Sequence, residues 1–311
     1  MPSPKCDIAM QIKSQAASLG FDACGFAAAV TVEDEAVARY DRWIEQGHNG
    51  CMSWAADHRD LRRDPSLLLD GAKTVISLAL NYYPSRFQPE EALRVAYYAY
   101  GRDYHEVMRE KMAELSHFIE QITHCTTRMC VDSAPVRERY WAQRAGLGFI
   151  GRNNCLIIPG KGSFFFLGEI LTTAQLPPDE PCALTCGNCG KCVKACPAGA
   201  LEHADAADCN RCLSCLLIEN HNEELPGWVS QVVGNRVVGC DECQLCCPHN
   251  AHAVASTVKD FEPTEAVLTL TRERVLQMTG GEFKRTFAHS AITRLRHKTL
   301  QRNAALSMKN L

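Results

Sequence analysis

The chain has 311 residues, of which 46% are hydrophobic and 22% are charged, with 33 Lys and Arg against 36 Asp and Glu. This composition excludes general disorder, and no apolar run approaches the ~18 residues that a membrane-spanning helix needs. Residues 1–10 lack the basic-then-apolar pattern of a signal peptide, so we expect a cytoplasmic protein without a membrane partner. The net charge of −3 argues neither for nor against a nucleic-acid partner.

The hydrophobic patterning predicts an α+β fold. In chain order it predicts a helix over 7–19 capped by Asp7, a strand over 21–28, a helix over 32–46, a strand over 73–80, a long helix over 104–124, a strand beginning at Val131, a helix over 136–145, and strands over 155–158 and 164–171 joined as a hairpin. Prolines near residue 178 mark a boundary, and the chain after Pro248 is predicted to be helical. We therefore expect a catalytic core over 1–178, a cysteine-rich domain over 179–250 and a helical tail over 251–311.

Cysteine is the unusual residue of this chain. Twelve of its 18 cysteines fall between Cys182 and Cys247. In a long chain without a signal pattern, such clustering indicates metal binding and not a disulfide framework. Residues 186–197, CGNCGKCVKACP, form the bacterial ferredoxin run, whose first three cysteines bind one 4Fe–4S cluster and whose fourth binds the other.

The remaining cluster ligands follow from the same swapped pattern. It assigns Cys186, Cys189, Cys192 and Cys247 to one cluster, and Cys196, Cys240, Cys243 and one of Cys209, Cys212 or Cys215 to the second, with Cys246 as an additional candidate beside Cys247. The alternative is a pair of structural zinc sites, because x2-spaced cysteines also suit zinc, but the four-cysteine run followed by proline favours iron–sulfur. About 180 residues precede the clusters, so we expect the electrons to serve a redox reaction in that part.

Several motifs, in the same order and over nearly the whole chain, resemble the epoxyqueuosine reductase family. They are HRDLRRDPSLLLDGAKTVISLALNYYP, YGRDYHEVMREKMAEL, VDSAPVRERYWAQRAGLGFIGRNNCLI, GSFFFLGEILT, RCLSCLLIE, VGNRVVGCDECQLCCPHN and the tail from FEPTEAV. The resemblance implies the last step of queuosine synthesis, in which the epoxide oxygen of epoxyqueuosine is removed at the wobble position of tRNA. It implies cobalamin and two 4Fe–4S clusters as cofactors, an unidentified electron donor, and a cobalamin-binding core like the nitroreductase-type folds beside a ferredoxin-like domain.

The resemblance also implies roles for individual residues. RCLSCLLIE matches a family stretch with one ligand cysteine, which places the ligand at Cys212. Asp132 matches the proton donor of the family; the alternative is that Asp132 caps a helix starting near Pro135. By family position, the cobalamin contacts are expected to be Arg62, Tyr104, His105, Asp132, Asn153, Asn154, Ser163 and Gly168.

Two further patterns bear on function. Gly146, Gly148 and Gly151 form G-x-G-x-x-G after a predicted helix, whereas a dinucleotide site needs a preceding strand, so we reject such a site. Residues 271–311 hold nine Lys and Arg but only two acidic residues. This excess of positive charge favours binding of a tRNA backbone over the alternative, a solvated helical face. The expected tRNA contacts are Arg236, Arg294, Arg296, Lys298 and Arg302. The rival function is a reductive dehalogenase-like enzyme acting on a small molecule, which would not need this basic tail.

Overall fold

The computed structural model describes residues 4–202 and 206–307. Within these ranges the α-helices are α1 Pro4–Ser18, α2 Asp34–Glu45, α3 Arg59–Arg63, α4 Tyr104–Thr123, α5 Glu138–Arg144, α6 Lys191–Ala195, α7 Leu213–Ile218, α8 Val229–Val232, α9 Glu242–Leu245, α10 Glu265–Leu268, α11 Arg272–Gln277, α12 Gly280–Thr286 and α13 His297–Leu306. The strands are β1 Ala23–Ala28, β2 Thr74–Asn81, β3 Arg94–Val95, β4 Thr127–Cys130, β5 Phe149–Ile150, β6 Leu156–Ile157, β7 Phe165–Thr172 and β8 Arg236–Val238. Among the described helices, none combines the length and apolar character that crossing a membrane requires.

Most predicted elements are confirmed close to their predicted bounds, with three corrections. Asp7 lies in the first turn of α1 and not at its cap. No strand begins at Val131, because β4 ends at Cys130 and the chain turns out of the sheet at Asp132, whose φ is 46°. The predicted hairpin of β6 and β7 is also wrong. β6 pairs with β5, since both edges of β7 are occupied by β2 and β4.

The chain forms two compact units that alternate along the sequence. The first unit contains residues 1–42, 56–81 and 105–188, and the second contains residues 43–55, 82–104 and 189–311. The segment 82–104 is thus part of the unit that also contains the cysteine-rich region and the C-terminal helices.

The first unit is built on a four-stranded antiparallel sheet with the order β1-β2-β7-β4. α4 covers one face, and it comes so close at Gly168 that a Cβ there would lie 2.8 Å from Met108 and Met112. α5 covers the opposite face, where Trp141 and Ala142 join a buried apolar cluster with side chains of β2 and β7. The two helices therefore cover opposite faces of the sheet, and β4 is joined to α5 by residues 131–137, which we define as the Asp132 loop.

The second unit has its core around the parallel pair of β3 and β8. Side chains from residues 93–100 and from α11, α12 and α13 pack with these strands in one apolar cluster. Threonine caps begin several of these short helices; Thr279 and Glu282 form a reciprocal capping box at the start of α12. Helices α11, α12 and α13 are therefore an integral part of this core.

Candidate active site

Asp132 lies at a strained point just beyond the end of β4. Its φ of 46° is uncommon for a residue other than glycine, and such conformations cluster at functional sites. The side chain is 39% exposed, which leaves its carboxyl open to a substrate. The capping alternative is wrong, because α5 begins six residues later and the residue at its cap is Arg137.

His105 contacts Asp132 directly. The imidazole Nε2 lies 2.9 Å from Oδ2 of Asp132, and His105 is the second residue of α4. Because a carboxyl group has two oxygens, an imidazole that donates its Nε2 proton to Oδ2 leaves the proton of the acid to be carried on Oδ1. The arrangement therefore orients a carboxyl group for acid–base chemistry.

Glu138 binds the backbone at the base of the same loop. Its Oε1 accepts the backbone N–H of Asp132 at 2.7 Å. Burial, followed by the nearby charge of Asp132, raises the pKa of Glu138, while the Asp132 N–H, Arg139 and His105 act in the opposite direction. Glu138 thus fixes the backbone of the residue whose side chain His105 orients.

Other predicted cofactor contacts lie in the same unit as this loop. Arg139 of α5 donates to the carbonyl oxygen of Asn154 at 2.5 Å, and Asn154 has a φ of 63°. Asn153 and Ser163 are buried polar residues on either side of β6. Gly168 also lies in this unit, but Met108 and Met112 fill the space in front of it.

The last two predicted cofactor residues are Tyr104, which precedes His105 at the start of α4, and Arg62. Tyr104 packs edge-on against Tyr98 with ring centroids 6.3 Å apart. Arg62 belongs to a separate basic cavity of about 250 Å³, lined by Val37, Tyr40, Asp41, Arg59, Asp60, Arg62, Arg63 and Arg137. In this cavity the guanidinium of Arg137 stacks over Tyr40 at 4.7 Å.

The cysteine-rich region brings the later cysteines together in two groups. All 18 thiols are free of disulfide bonds. Cys215 interacts with Cys209 and Cys212, and Cys240 is near Cys212. Cys246 is near both Cys189 and Cys247, and α6 packs against α9. These proximities agree with the swapped pattern, in which the end of the region completes the cluster begun by the ferredoxin run; the individual ligands stay predictions.

The predicted tRNA contacts differ in what they already bind. Arg294 forms a two-pronged ion pair with Glu219 at 2.8 and 3.0 Å. Arg302 donates to the carbonyl oxygens of Asn220 and Asn222 at 2.8 and 2.7 Å.

The other three predicted tRNA contacts comprise one arginine that is already paired and two exposed residues. Arg236 pairs with Glu242 and donates to the carbonyl oxygen of Val233. Arg296 and Lys298 are exposed and make no ion pair within residues 4–202 and 206–307. Lys309, which contributes to the basic count of the tail, lies outside the described residues.

Comparison with known proteins identifies the family. A family model described as "Epoxyqueuosine reductase QueG, DUF1730" matches residues 62–133, and one described as "4Fe-4S double cluster binding domain" matches residues 185–250. An epoxyqueuosine reductase of Leadbetterella byssophila is 39% identical over 96% of this chain and 98% of its own length. The chain belongs to the epoxyqueuosine reductase family. It is therefore an oxidoreductase with an iron–sulfur domain.

Solved structures of epoxyqueuosine reductases share the fold. A crystal structure with an epoxyqueuosine-modified tRNA-Tyr stem loop matches with a TM-score of 0.88 and 32% identity, covering 97% of this chain and 81% of that one. A Bacillus subtilis structure, at 31% identity and the same TM-score and coverage, has the loop of its catalytic aspartate swung out of the active site. The two family models together include Arg62, His105 and Asp132 as well as all eight predicted cluster ligands.

Sequence reasoning missed two carboxyl residues of this unit, Glu138 and Glu169. Glu169 is the one charged residue of β7, and it is fully buried. A charged residue inside an apolar strand was the available signal for it. Glu138 carried no such signal, because its contact is to a backbone N–H six residues away.

Proposed function

We propose that this chain reduces epoxyqueuosine to queuosine at the wobble position of tRNA, the last step of queuosine synthesis. The observation that carries the proposal is the near-full-length relationship to epoxyqueuosine reductases, one of which binds a modified tRNA stem loop. Because its substrate is tRNA, we expect the enzyme to work in the cytoplasm.

The cofactors of the proposed reaction are two 4Fe–4S clusters and cobalamin. The donor set suits the clusters: Cys186, Cys189, Cys192 and Cys247 would hold one, and Cys196, Cys212, Cys240 and Cys243 the other. For cobalamin, the buried amide of Asn153 and hydroxyl of Ser163 are neutral groups of the kind that pair with the amides around a corrin ring. When bound, cobalamin would supply a cobalt centre able to attack carbon, and the clusters would supply electrons singly.

Asp132 is the proton donor in this proposal. Conversion of an epoxide to an alkene and water consumes two electrons and two protons, and the oxygen leaves readily only when it is protonated. Asp132 holds the proton on Oδ1 and transfers it to the departing oxygen, while His105 donates to Oδ2 and fixes the plane of the carboxyl group. Glu138 supports this geometry by accepting a hydrogen bond from the backbone N–H of Asp132.

The Asp132 loop is the segment of this chain that would move. In the B. subtilis enzyme the loop of the catalytic aspartate occupies a swung-out position. In this chain Asp132 is joined to its surroundings by contacts with His105 and Glu138, and both would break in an outward movement. Loop closure would then bring the acid to the substrate.

For the tRNA backbone we propose Arg296 and Lys298 as the principal contacts of the C-terminal region. Both are exposed and have no carboxylate partner within the described part of the chain, so they can meet phosphates without losing an internal bond. Arg236, Arg294 and Arg302 would have to exchange existing partners.

The proposal is tested by the nucleosides of tRNA from a strain lacking this gene. Epoxyqueuosine should accumulate and queuosine should vanish, and the gene on a plasmid should reverse both changes. A plasmid carrying Asp132→Asn is the matched control and should not restore queuosine. Normal queuosine in the deletion strain would overturn the proposed function.

A further inference from the structure

Ser77 and Glu169 are polar residues inside the apolar face of the sheet that α5 covers. They are paired across β2 and β7 in the antiparallel register, and both are fully buried. Their neighbours on the same face are apolar, with Val75 and Ala79 on β2 and Leu171 on β7 belonging to the buried cluster. A buried carboxyl among apolar side chains is costly unless it is neutral and hydrogen-bonded.

Three atoms of this pair have no hydrogen-bond partner among the described residues: Ser77 Oγ and both carboxyl oxygens of Glu169. Buried polar atoms of folded proteins nearly always have partners, so small side-chain adjustments should complete these bonds. A protonated carboxyl has one O–H donor and one carbonyl acceptor. The Ser77 hydroxyl can satisfy the acceptor, but the O–H of Glu169 then needs an acceptor of its own.

Glu138, at the start of α5, lies on the side of the sheet that Glu169 faces. Gly168 faces α4, so the next residue, Glu169, points to the opposite face, where α5 begins with Glu138. The two carboxyls are close enough for the charge of Glu138 to raise the pKa of Glu169 further, after burial, while the nearby Ser77 hydroxyl acts in the opposite direction. The other titratable groups here are Cys130 of β4, which lies opposite Glu169 in the sheet, and Asp132, His105 and Arg139 around Glu138.

We propose that Glu138 and Glu169 are positioning residues for Asp132: protonated Glu169 donates a hydrogen bond to the Glu138 carboxylate, which accepts the Asp132 N–H and holds the Asp132 loop closed. Ser77 completes the chain by donating to the carbonyl oxygen of Glu169. All three unpartnered atoms are then satisfied, and a single negative charge lies beneath the loop. The pair thus holds the backbone of a strained residue in the position where His105 can orient its side chain.

The inference rests on the proposed function for its catalytic meaning, but its first test does not need turnover. Hydrogen exchange of the peptide containing Asp132 is measured on the anaerobically reconstituted enzyme and expressed as protection relative to intrinsic exchange. A charged acceptor strengthens a hydrogen bond by about 1 kcal/mol, so Glu138→Gln should exchange about fivefold faster in this peptide. Glu120→Gln is the control, because Glu120 also accepts a backbone N–H, from Thr127, but at the other end of β4.

The pH dependence of protection separates positioning from simple packing. In the wild type, protection should fall as pH drops through the raised pKa of Glu138, because neutral Glu138 is a weaker acceptor. Glu138→Gln cannot titrate and should show no such fall. Equal protection and equal pH profiles in wild type and Glu138→Gln would overturn the proposal.

Glu169 is tested by two variants that differ in one property. Glu169→Gln keeps a neutral donor and should retain the wild-type profile. Glu169→Leu keeps bulk without a donor, so the fall in protection should move to higher pH. Identical behaviour of these two variants would show that Glu169 only fills space. Wild-type protein that shows the expected exchange but fails to reduce epoxyqueuosine would overturn the proposed function and not the contact.

Discussion

The two units of this protein place their polar chemistry in opposite ways. In the first unit, polar groups are few, and each has a specific neighbour: His105 on Asp132, Glu138 on the Asp132 backbone, and Ser77 opposite Glu169. In the second unit, similar groups are abundant, with more cysteines than two clusters need and more arginines than are free to bind phosphate.

The difference teaches that environment, and not residue type, identifies function in each unit. A burial pattern is enough to single out Glu169, because a carboxyl there has few permissible neighbours. Among the arginines of the second unit, the informative property is the absence of an internal partner.

The largest effect is expected at the second cluster, where three cysteines at x2 spacing compete for one ligand position. Cys212→Ser should lower the iron content of reconstituted protein from about eight to about four and abolish turnover, because each cubane needs four protein ligands. Cys209→Ser and Cys215→Ser are matched controls that should keep full iron. Loss of iron in Cys215→Ser with full iron in Cys212→Ser would move the ligand by three residues.

The sequence predicted the elements of the first unit better than their pairing. The apolar runs that became β2 and β7 were evident, but the pairing of β7 with β2 and β4 depends on residues far apart in the chain. The Asp132 motif was recognised through family resemblance. Its contact with His105 was not, because 27 residues separate the two and only the fold brings them together.

Asp132→Asn is the sharpest test of the first unit. Asparagine keeps the size of the side chain and an oxygen facing His105, but it cannot release a proton at the epoxide. Turnover should fall by about 10²-fold or more, the usual contribution of general acid catalysis. Iron content and tRNA affinity, measured on the same preparation, should match the wild type. Wild-type turnover would remove Asp132 from the mechanism.

The basic residues of the second unit are expected to separate into two classes. If Arg296 and Lys298 meet phosphates, replacing both with Ala should reduce the slope of log affinity against log salt by about 1.5, since each contact contributes about 0.7–0.9. Arg302→Ala is the comparison. It should leave the slope unchanged and destabilise the fold by about 1–3 kcal/mol, because carbonyl oxygens beyond α7 lose their donor. An unchanged slope in the double variant would return these residues to a solvated helical face.

The smallest effect is a change in how stability depends on pH. Burial, and then the charge of Glu138, hold the pKa of Glu169 above its value of about 4.3 in the unfolded chain. Between those two values the unfolded state releases a proton that the folded state keeps. The stabilisation from Glu169 is therefore complete below pH ~4.3 and is lost as pH rises towards the folded-state pKa.

Glu169→Gln removes this dependence, because glutamine does not titrate. The melting temperature of the variant, measured anaerobically at a fixed scan rate between about pH 5 and 8, should rise relative to the wild type as pH increases. The underlying difference is about 1.4 kcal/mol per pH unit while Glu169 stays protonated in the folded state. Any free-energy cost of placing the amide in the Glu169 site is the same at every pH. The diagnostic quantity is therefore the slope, against pH, of the difference in melting temperature between variant and wild type. Parallel curves would mean that Glu169 is ionised in the folded protein. Its charge would then be stabilised by internal partners, as the charges of Arg294 and Arg302 are in the second unit.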